Sequence, residues 1–279
     1  MTKADEYLKR DILNIFNCGT KDENPRPKYK DGTPAHTFFL THNIRSYDLS
    51  KGEFPIATLR PIAWKSAIKE ILWIYQDASN DLNVLKDKYG IKWWDEWEAK
   101  DAPGTIGNRY GHTVGKYDLM NKRVLNDIKN DPYGRYHIMN LWQEDELSSS
   151  DGLKPCAYET VWSVRGNYLD LFLNQRSGDM LVVSGAGHVN EVQYAALLMM
   201  VARDTGYLPG KFTHMVVNEQ IYDRHIDNAK LLLDRTCSEI TPTMVISNDK
   251  RSFYDITIDD FELLNYHPVK PNMKFDLGI

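Results

Sequence analysis

Three cysteines occur in 279 residues, Cys18, Cys156 and Cys237, and none sits in a CxxC spacing. Cys156, in KPCAYETVW, follows Pro155 and leads into a run with strand character. A cysteine attacks as the thiolate, and a nearby cation is the usual way to favour that form. Gln175-Arg176-Ser177-Gly178-Asp179 begins nineteen positions on, at the end of the second of two candidate strands. A hairpin would return the chain and bring Arg176 beside Cys156. A guanidinium there favours the thiolate and can hold an anion bidentately, and Ser177 adds a hydroxyl donor. Taken alone, a cysteine is more often a small buried hydrophobe, and RSGD also reads as a turn with an Asp cap. The pattern by itself leaves both readings open.

Glu70 shares a helical face with Ala67, Ile71 and Ile74. A carboxyl on an apolar face is costly unless paired, and desolvation moves its pKa up toward the range useful for proton transfer. Lys65 and Lys69 nearby offer the competing picture of an edge residue whose head reaches water. Trp93, Trp94, Trp97 and Tyr110 fall in a polar, glycine-rich stretch. Such rings either pack the core or wall a pocket for a flat ligand. Arg26 and Arg135 lie in loops containing Pro and Gly, and with Arg176 they could clamp a phosphate. Asn190 precedes an apolar helix, where it reads as an N-cap or as an amide facing a ligand edge.

Positioning these groups takes a definite set of elements. Residues 3–16 have amphipathic helical spacing, 19–35 form a polar loop, and 36–49 read as strand. Pro61 opens a helix through about Gln76. Residues 91–115 are irregular, and 116–130 suggest a helix. Strands are expected at 136–143, 160–164 and 168–175, the last two joined by a three-residue loop, Arg165-Gly166-Asn167. An apolar helix over 191–205 stops at Gly206, a strand follows at 212–217, and a helix spans 223–235. The sum is an α+β fold with long, mostly antiparallel strands and helices on one side.

Composition narrows the classes. Hydrophobic residues make up 42% of the chain, enough for a sizeable core. Against 34 basic residues stand 39 acidic ones, a net charge of −5, which argues against a general DNA or other nucleic-acid binder. No apolar run approaches the roughly 18–20 residues that span a bilayer, and the N-terminus is charged and helix-like. A cytoplasmic protein with reduced thiols is expected.

The order of these motifs resembles the thymidylate synthase family, of bacterial type. The match runs collinearly from about Arg26 to Ile279, through DGTPAHT (31–37), KEILWIYQ (69–76), WDEW (94–97), GTIGNRYG (104–111), GRYHIMNLW (134–142), PCAYETVW (155–162), NQRSGD (174–179), VNEVQYAALL (189–198) and KPNMKFDLGI (270–279). The resemblance implies one catalytic domain, residues 1–279, with a large twisted mixed sheet flanked by helices, its face forming a homodimer interface. It implies reductive methylation of dUMP to dTMP with 5,10-methylenetetrahydrofolate as co-substrate, giving dihydrofolate, and no metal.

By the same resemblance, Cys156 is the nucleophile at carbon 6 of the uracil. Arg176 lowers its pKa and holds phosphate with Arg26, Ser177 and Arg135, the last donated across the dimer. Glu70 and Tyr110 organise proton transfer. Gln175, Asn190 and Tyr222 match nucleotide-binding positions. Asp179, Trp94, Trp97 and Ile279 match the folate side.

Four positions depart from the family pattern. Tyr136 stands where a second arginine is usual, Gln220 where histidine is usual, and Ala157 where histidine often follows the cysteine. VVSGAGHVN carries three extra residues between Asp179 and Asn190, an insert at Ser184–His188 in which His188 matches no family role. Two other readings remain at this stage: a pyrimidine-nucleotide hydroxymethylase on the same fold, and a non-catalytic nucleotide- or RNA-binding member. Asn190 favours uracil over cytosine, and the tryptophans favour hydride transfer over entry of water.

Overall fold

The structure is a computed structural model that describes residues 1–237, 239–247 and 252–279. The first helix, α1 (Lys3–Cys18), is capped by the Thr2 hydroxyl, which accepts from the Asp5 N–H. Its Ala4, Leu8, Ile12 and Ile15 are buried, as the spacing predicts. A two-residue strand, β1 (Thr20–Lys21), lies in the predicted loop, followed by β2 (Thr37–Asp48).

Pro61 does not itself begin the next helix; α2 spans Trp64–Ile71 and widens into a π turn over Leu72–Gln76. The buried face of α2 is Ala67, Ile68, Glu70 and Ile71. Helix α3 (Leu82–Tyr89) is capped by Asp81. The irregular stretch then gives way to α4 (Gly111–Tyr117), which ends at Asp118 in the left-handed region. The predicted helix at 116–130 is therefore broken: a π turn over Met120–Leu125 leads into α5 (Asn126–Asn130).

Strand β3 (Ile138–Asn140) is shorter than expected, and α6 (Glu144–Ser149) was not anticipated. Strands β4 (Ala157–Arg165) and β5 (Tyr168–Gln175) form the predicted hairpin. Arg165 pairs with Tyr168, so the loop holds two residues, Gly166-Asn167, rather than three. Gly166 takes φ 60°, which suits glycine at the first loop position. After β6 (Gly178–Asp179) and a π turn over Met180–Ser184 comes α7 (Val189–Thr205), stopped by Gly206 at φ 83°. Strand β7 (Leu208–Tyr222) and α8 (Ile226–Asp234) follow, and β8 (Thr243–Ile246) pairs with β9 (Phe261–Leu264) in a small separate sheet.

The main sheet runs β1-β2-β7-β5-β4-β3, with β6 also on β7. It is mixed and mostly antiparallel, as expected: β1-β2, β2-β7, β5-β4 and β4-β3 pair antiparallel, while β5 and β7 are parallel because α7 crosses between them, and β6 also runs parallel to β7. Along β5, Leu169, Leu171, Leu173 and Gln175 face inward, and along β7 Phe212, His214 and Val216 do the same. Helix α7 packs on these strands and α2 packs on α7. Twelve residues of α7 are buried, which is why its sequence is apolar almost all round. The opposite sheet face carries Ile44, Val161, Phe172 and Met215, half-buried or exposed.

Candidate active site

Sheet register places the nucleophile candidate. Ala157 pairs with Gln175, and the Arg176 N–H donates to the Cys156 carbonyl at 2.9 Å. Arg176 thus stands directly across from Cys156. Its Nη2 lies 3.5 Å from Cys156 Sγ, while Nε and Nη2 donate to the carbonyls of Pro155 (2.9 Å) and Lys154 (2.7 Å). These bonds fix the guanidinium against the turn that carries the thiol. The expected lowering of the thiol pKa is reversed in the free protein. Burial pushes Cys156 above its ordinary value, and Arg176 offsets only part of that rise.

Tyr110 holds the same turn from the other side. Its hydroxyl accepts from the Cys156 N–H at 2.8 Å, which leaves its own O–H to donate. Tyr110 is buried, which holds its pKa far above the ordinary phenol range. Its backbone sits at φ 49°, a left-handed conformation uncommon for a bulky residue and found mainly where surrounding structure imposes it. Gly111 follows because a Cβ there would lie 2.0 Å from the Ser79 carbonyl oxygen.

Glu70 is buried on α2 and accepts from the Trp93 indole N–H at 2.5 Å. Burial pushes its pKa up to about 7, with the Trp94, Trp93 and Gln193 side chains pulling the other way. Trp94 packs edge-on against Tyr110 (5.6 Å) and Trp97 (5.9 Å). Its buried indole nitrogen closes no hydrogen bond.

Asp179 caps the Met180–Ser184 turn, accepting from Leu181 and Val182 through Oδ1. Its Oδ2 lies 3.7 Å from His225 Nδ1, and burial raises its pKa to about 6 against the pull of His225 and Arg60. Ser177 Oγ reaches Gln220 Oε1 at 3.5 Å. Tyr222 packs with Tyr29 and His225. Burial and the Asp179 charge raise its pKa to about 12, and Arg26 is near enough to pull it down.

Arg26 and Arg135 are both exposed, and Arg135 sits beside Tyr136, which is 76% exposed. Ile279 exchanges backbone hydrogen bonds with Lys28 at 2.8 and 2.9 Å, so it is held against the loop segment that carries Arg26, two positions before Lys28. Gly278 presses on Tyr222, where a Cβ would come within 2.7 Å of the ring.

Asn190 lies in the first turn of α7 and does not cap it; His188 holds that position. Asn190 Oδ1 accepts from Gln175 Nε2 at 3.2 Å, and Nδ2 donates to Gln193 Oε1 at 3.0 Å. Gln175 is buried behind Asn190 and contacts Ser177 and His214, so it touches the site through Asn190.

The insert also finds a purpose. Arg60 Nε donates to His188 Nε2 at 2.9 Å, which places the His188 proton on Nδ1, facing the Ala186 carbonyl. His188 is a buried neutral support for Arg60, its pKa pushed well down by burial. Sequence reasoning passed over His225, Arg60 and Gln193 as site neighbours. Trp93 was seen only as an aromatic, though its position next to Trp94 was the available signal. Among the described residues no cluster of three or more His, Cys, Asp or Glu side chains could hold a metal ion. No helix among them is long and apolar enough to cross a membrane.

Comparison with known proteins agrees with this geometry. Residues 6–279 match the family model described as thymidylate synthase. The chain is 49% identical to the thymidylate synthase of Streptococcus suis (strain 05ZYH33) over 284 residues, covering 100% of both chains. It is 50% identical to that of Streptococcus pneumoniae (strain 70585), also over 100% of both. The solved structure of thermostable thymidylate synthase A from Bacillus subtilis covers 100% of both chains with a TM-score of 0.88 and 39% identity. With the family model matched over nearly the whole chain and relatives matched at 49–50% identity over their full length, the chain belongs to the thymidylate synthase family.

Proposed function

We propose that the whole chain works as one catalytic domain that converts dUMP to dTMP, with Cys156 as nucleophile. The observation that carries this reading is the Cys156–Arg176 pair at 3.5 Å, held by backbone register rather than by flexible loops. A continuous core from Ala4 to Phe261 supports the single-domain reading.

Carbon 5 of uracil is a poor nucleophile until a thiolate adds to carbon 6 and makes it enolate-like. Cys156 makes that addition. Its thiol is neutral at rest, and Arg176 stabilises negative charge as it forms. Arg176, Ser177, Arg26 and a partner copy's Arg135 hold the phosphate, and Tyr222 holds the ribose. The Asn190 amide offers an acceptor and a donor to the N–H and carbonyl of the uracil edge.

Methylenetetrahydrofolate, when bound, supplies both the one-carbon unit and the hydride. The residues suit its pterin-like ring: Asp179 Oδ2 is engaged only at 3.7 Å, and the buried Trp94 indole lies beside the Glu70 carboxyl without closing a full hydrogen bond. Trp94 and Trp97 wall the site against water, and the terminal Ile279 closes it. Glu70, with a pKa raised to about 7, organises removal of the carbon 5 proton with Tyr110, and that proton passes to solvent.

Two copies pack through the open sheet face, where Ile44, Val161, Phe172 and Met215 lie without helices over them, and this brings Arg135 to the neighbouring site. The dependence on a free thiol fits a reducing compartment such as the cytoplasm. A coupled assay with dUMP and methylenetetrahydrofolate tests the reading: dTMP should appear with dihydrofolate in equal amounts. Hydroxymethyl-dUMP with tetrahydrofolate would replace it with the hydroxymethylase reading. For the dimer, mixing inactive Cys156→Ser and Arg135→Ala chains should restore activity in part. No recovery on subunit exchange counts against a shared site.

A further inference from the structure

A line of hydrogen bonds runs from the interior of the sheet through the base-reading amide to Gln193, whose free end is turned toward Glu70. His214 Nε2 faces Gln175 Oε1 at 3.0 Å. Gln175 Nε2 faces both the Ser177 carbonyl (3.0 Å) and Asn190 Oδ1 (3.2 Å). Asn190 Nδ2 faces Gln193 Oε1 at 3.0 Å. Gln193 Nε2, buried with no full hydrogen bond of its own, turns toward the Glu70 carboxyl and helps to acidify it.

The two ends of this line fix its sense. A backbone carbonyl can only accept, so Gln175 must point its amide nitrogen at Ser177. Its oxygen then faces His214, so His214 Nε2 must carry a proton. Burial pushes the His214 pKa down, and its hydrogen bond to Glu191 pulls the other way. The other nitrogen, Nδ1, donates to Glu191 Oε1 at 3.1 Å, since a carboxylate can only accept, and Arg45 Nη2 lies 3.4 Å away in the same fully buried cluster. At the far end the Glu70 carboxyl, when ionised, can only accept, which agrees with the same sense.

We propose that His214 is a positioning residue for base selection: its Nε2–H sets the direction of the Gln175–Asn190–Gln193 amide chain, and so presents Asn190 to the nucleotide in the orientation that fits uracil and rejects cytosine. This rests on the reading that Asn190 faces the base. Uracil offers an N–H at position 3 and a carbonyl at position 4, whereas cytosine offers a bare nitrogen and an amino group at the same places. An asparagine free to rotate about its last bond serves either base. One held with Oδ1 toward Gln175 and Nδ2 toward Gln193 serves only uracil, because turning it would set Oδ1 against Gln193 Oε1 and Nδ2 against Gln175 Nε2. Among the described residues, the buried ring meets Gln175, Glu191, Arg45 and Phe212, and Gln175 is its link to Asn190.

The test is calorimetric titration of dUMP and dCMP into the full-length protein. His214→Phe keeps the stacked ring on Phe212 but loses the N–H. Its dUMP-over-dCMP preference should fall by about tenfold, with kcat at saturating dUMP within a few-fold of the parent. His214→Gln, which can donate to Gln175, should recover much of that preference. Gln175→Glu serves as a second variant if His214→Phe does not fold. A carboxylate there can only accept, so Asn190 should turn its nitrogen inward and dCMP should bind more tightly in absolute terms. A merely structural defect would weaken both nucleotides together. If the unaltered protein binds dUMP well and both His214→Phe and Gln175→Glu keep its preference, the assignment of His214 is wrong while the reading of the site survives. If the unaltered protein binds neither nucleotide, the reading of the site fails first.

Discussion

Glu70 on α2 and Glu191 on α7 are the same residue type, both buried and on helices packed against each other, yet they are tuned in opposite directions. Glu70 has two indoles and an amide for company and no cation, and its pKa rises to about 7. Glu191 accepts from Arg45 Nε at 2.6 Å, Tyr47 Oη at 2.7 Å and the Gly187 N–H at 2.7 Å, and its pKa falls to about 2. Burial raises a carboxyl, and a desolvated guanidinium with hydrogen bonds reverses it. The reactive side of the molecule is the one left short of charge partners. The side behind it is saturated: Arg45 also pairs with Asp11 at 3.0 Å and Glu219 at 2.8 Å, and Arg10 pairs with Asp11 at 2.6 Å.

The largest effect should come from Cys156, the other group on the charge-poor side. Cys156→Ser should lower turnover by roughly 10⁴-fold or more, because a serine hydroxyl with only Arg176 beside it is not activated for attack. Binding of dUMP, followed by calorimetry, should persist. Retained turnover would remove Cys156 as the nucleophile and with it the idea that this side is built for reaction. Next is the saturated side. Arg45→Met strands Asp11, Glu191 and Glu219 without their shared cation, and should cost about 3–5 kcal/mol in stability. Thermal unfolding should fall by on the order of 10 °C. An unchanged Tm would mean that the cluster does not need its cation.

The two glutamates should also separate by pH. The parent's kcat/KM should rise through about pH 7 as Glu70 ionises, and Glu70→Gln should cut kcat by about 10²–10³-fold and abolish that rise. Its stability effect runs the other way. A carboxyl raised from 4.5 to about 7 contributes most below 4.5, and loses about 3 kcal/mol as pH climbs through 7. Glu70→Gln should therefore gain Tm over the parent between pH 5 and 8. Glu191 is lowered to about 2, so its contribution is complete above 4.5 and is lost as pH falls through 2. Glu191→Gln should lose Tm at neutral pH. Parallel curves for the two variants would erase the contrast.

How much of this was legible in the sequence follows the same division. Glu70 could be singled out because helical spacing put a carboxyl among alanine and isoleucine, and a hairpin with a glycine in its loop returned Arg176 toward Cys156, although the exact register did not follow, since the loop has two residues and not three. The direction of the Cys156 shift could not be read, since it depends on how deeply the thiol is desolvated. The buried cluster was invisible for another reason. Arg45, Glu219 and His214 sit at inward positions of strands, where charge reads as a surface face unless its partner is known, and the partners lie 23 to 176 positions apart in the chain. The parallel pairing of β5 with β7 has the same origin, being decided by the path of α7 between them. His188 and Arg60 needed the insert's course, which spacing alone does not give.

The smallest effect probes the rim, where neither side's burial applies. Tyr136 stands next to Arg135, where the sequence resemblance leads one to expect a second arginine, and it is 76% exposed. Restoring the charge with Tyr136→Arg adds a cation beside a phosphate clamp that is open to water. A solvent-exposed ion pair contributes about 0.2–1 kcal/mol and is weakened by salt. The dUMP KM should fall by only a few-fold, kcat should not change, and the gain should shrink as ionic strength rises. A gain above about tenfold would mean that this rim is desolvated in the assembled enzyme, with the arginine buried against the partner subunit as it meets the phosphate. No gain at any salt concentration would mean that the phosphate never reaches this segment, and Arg135 would then lose its place in the clamp as well.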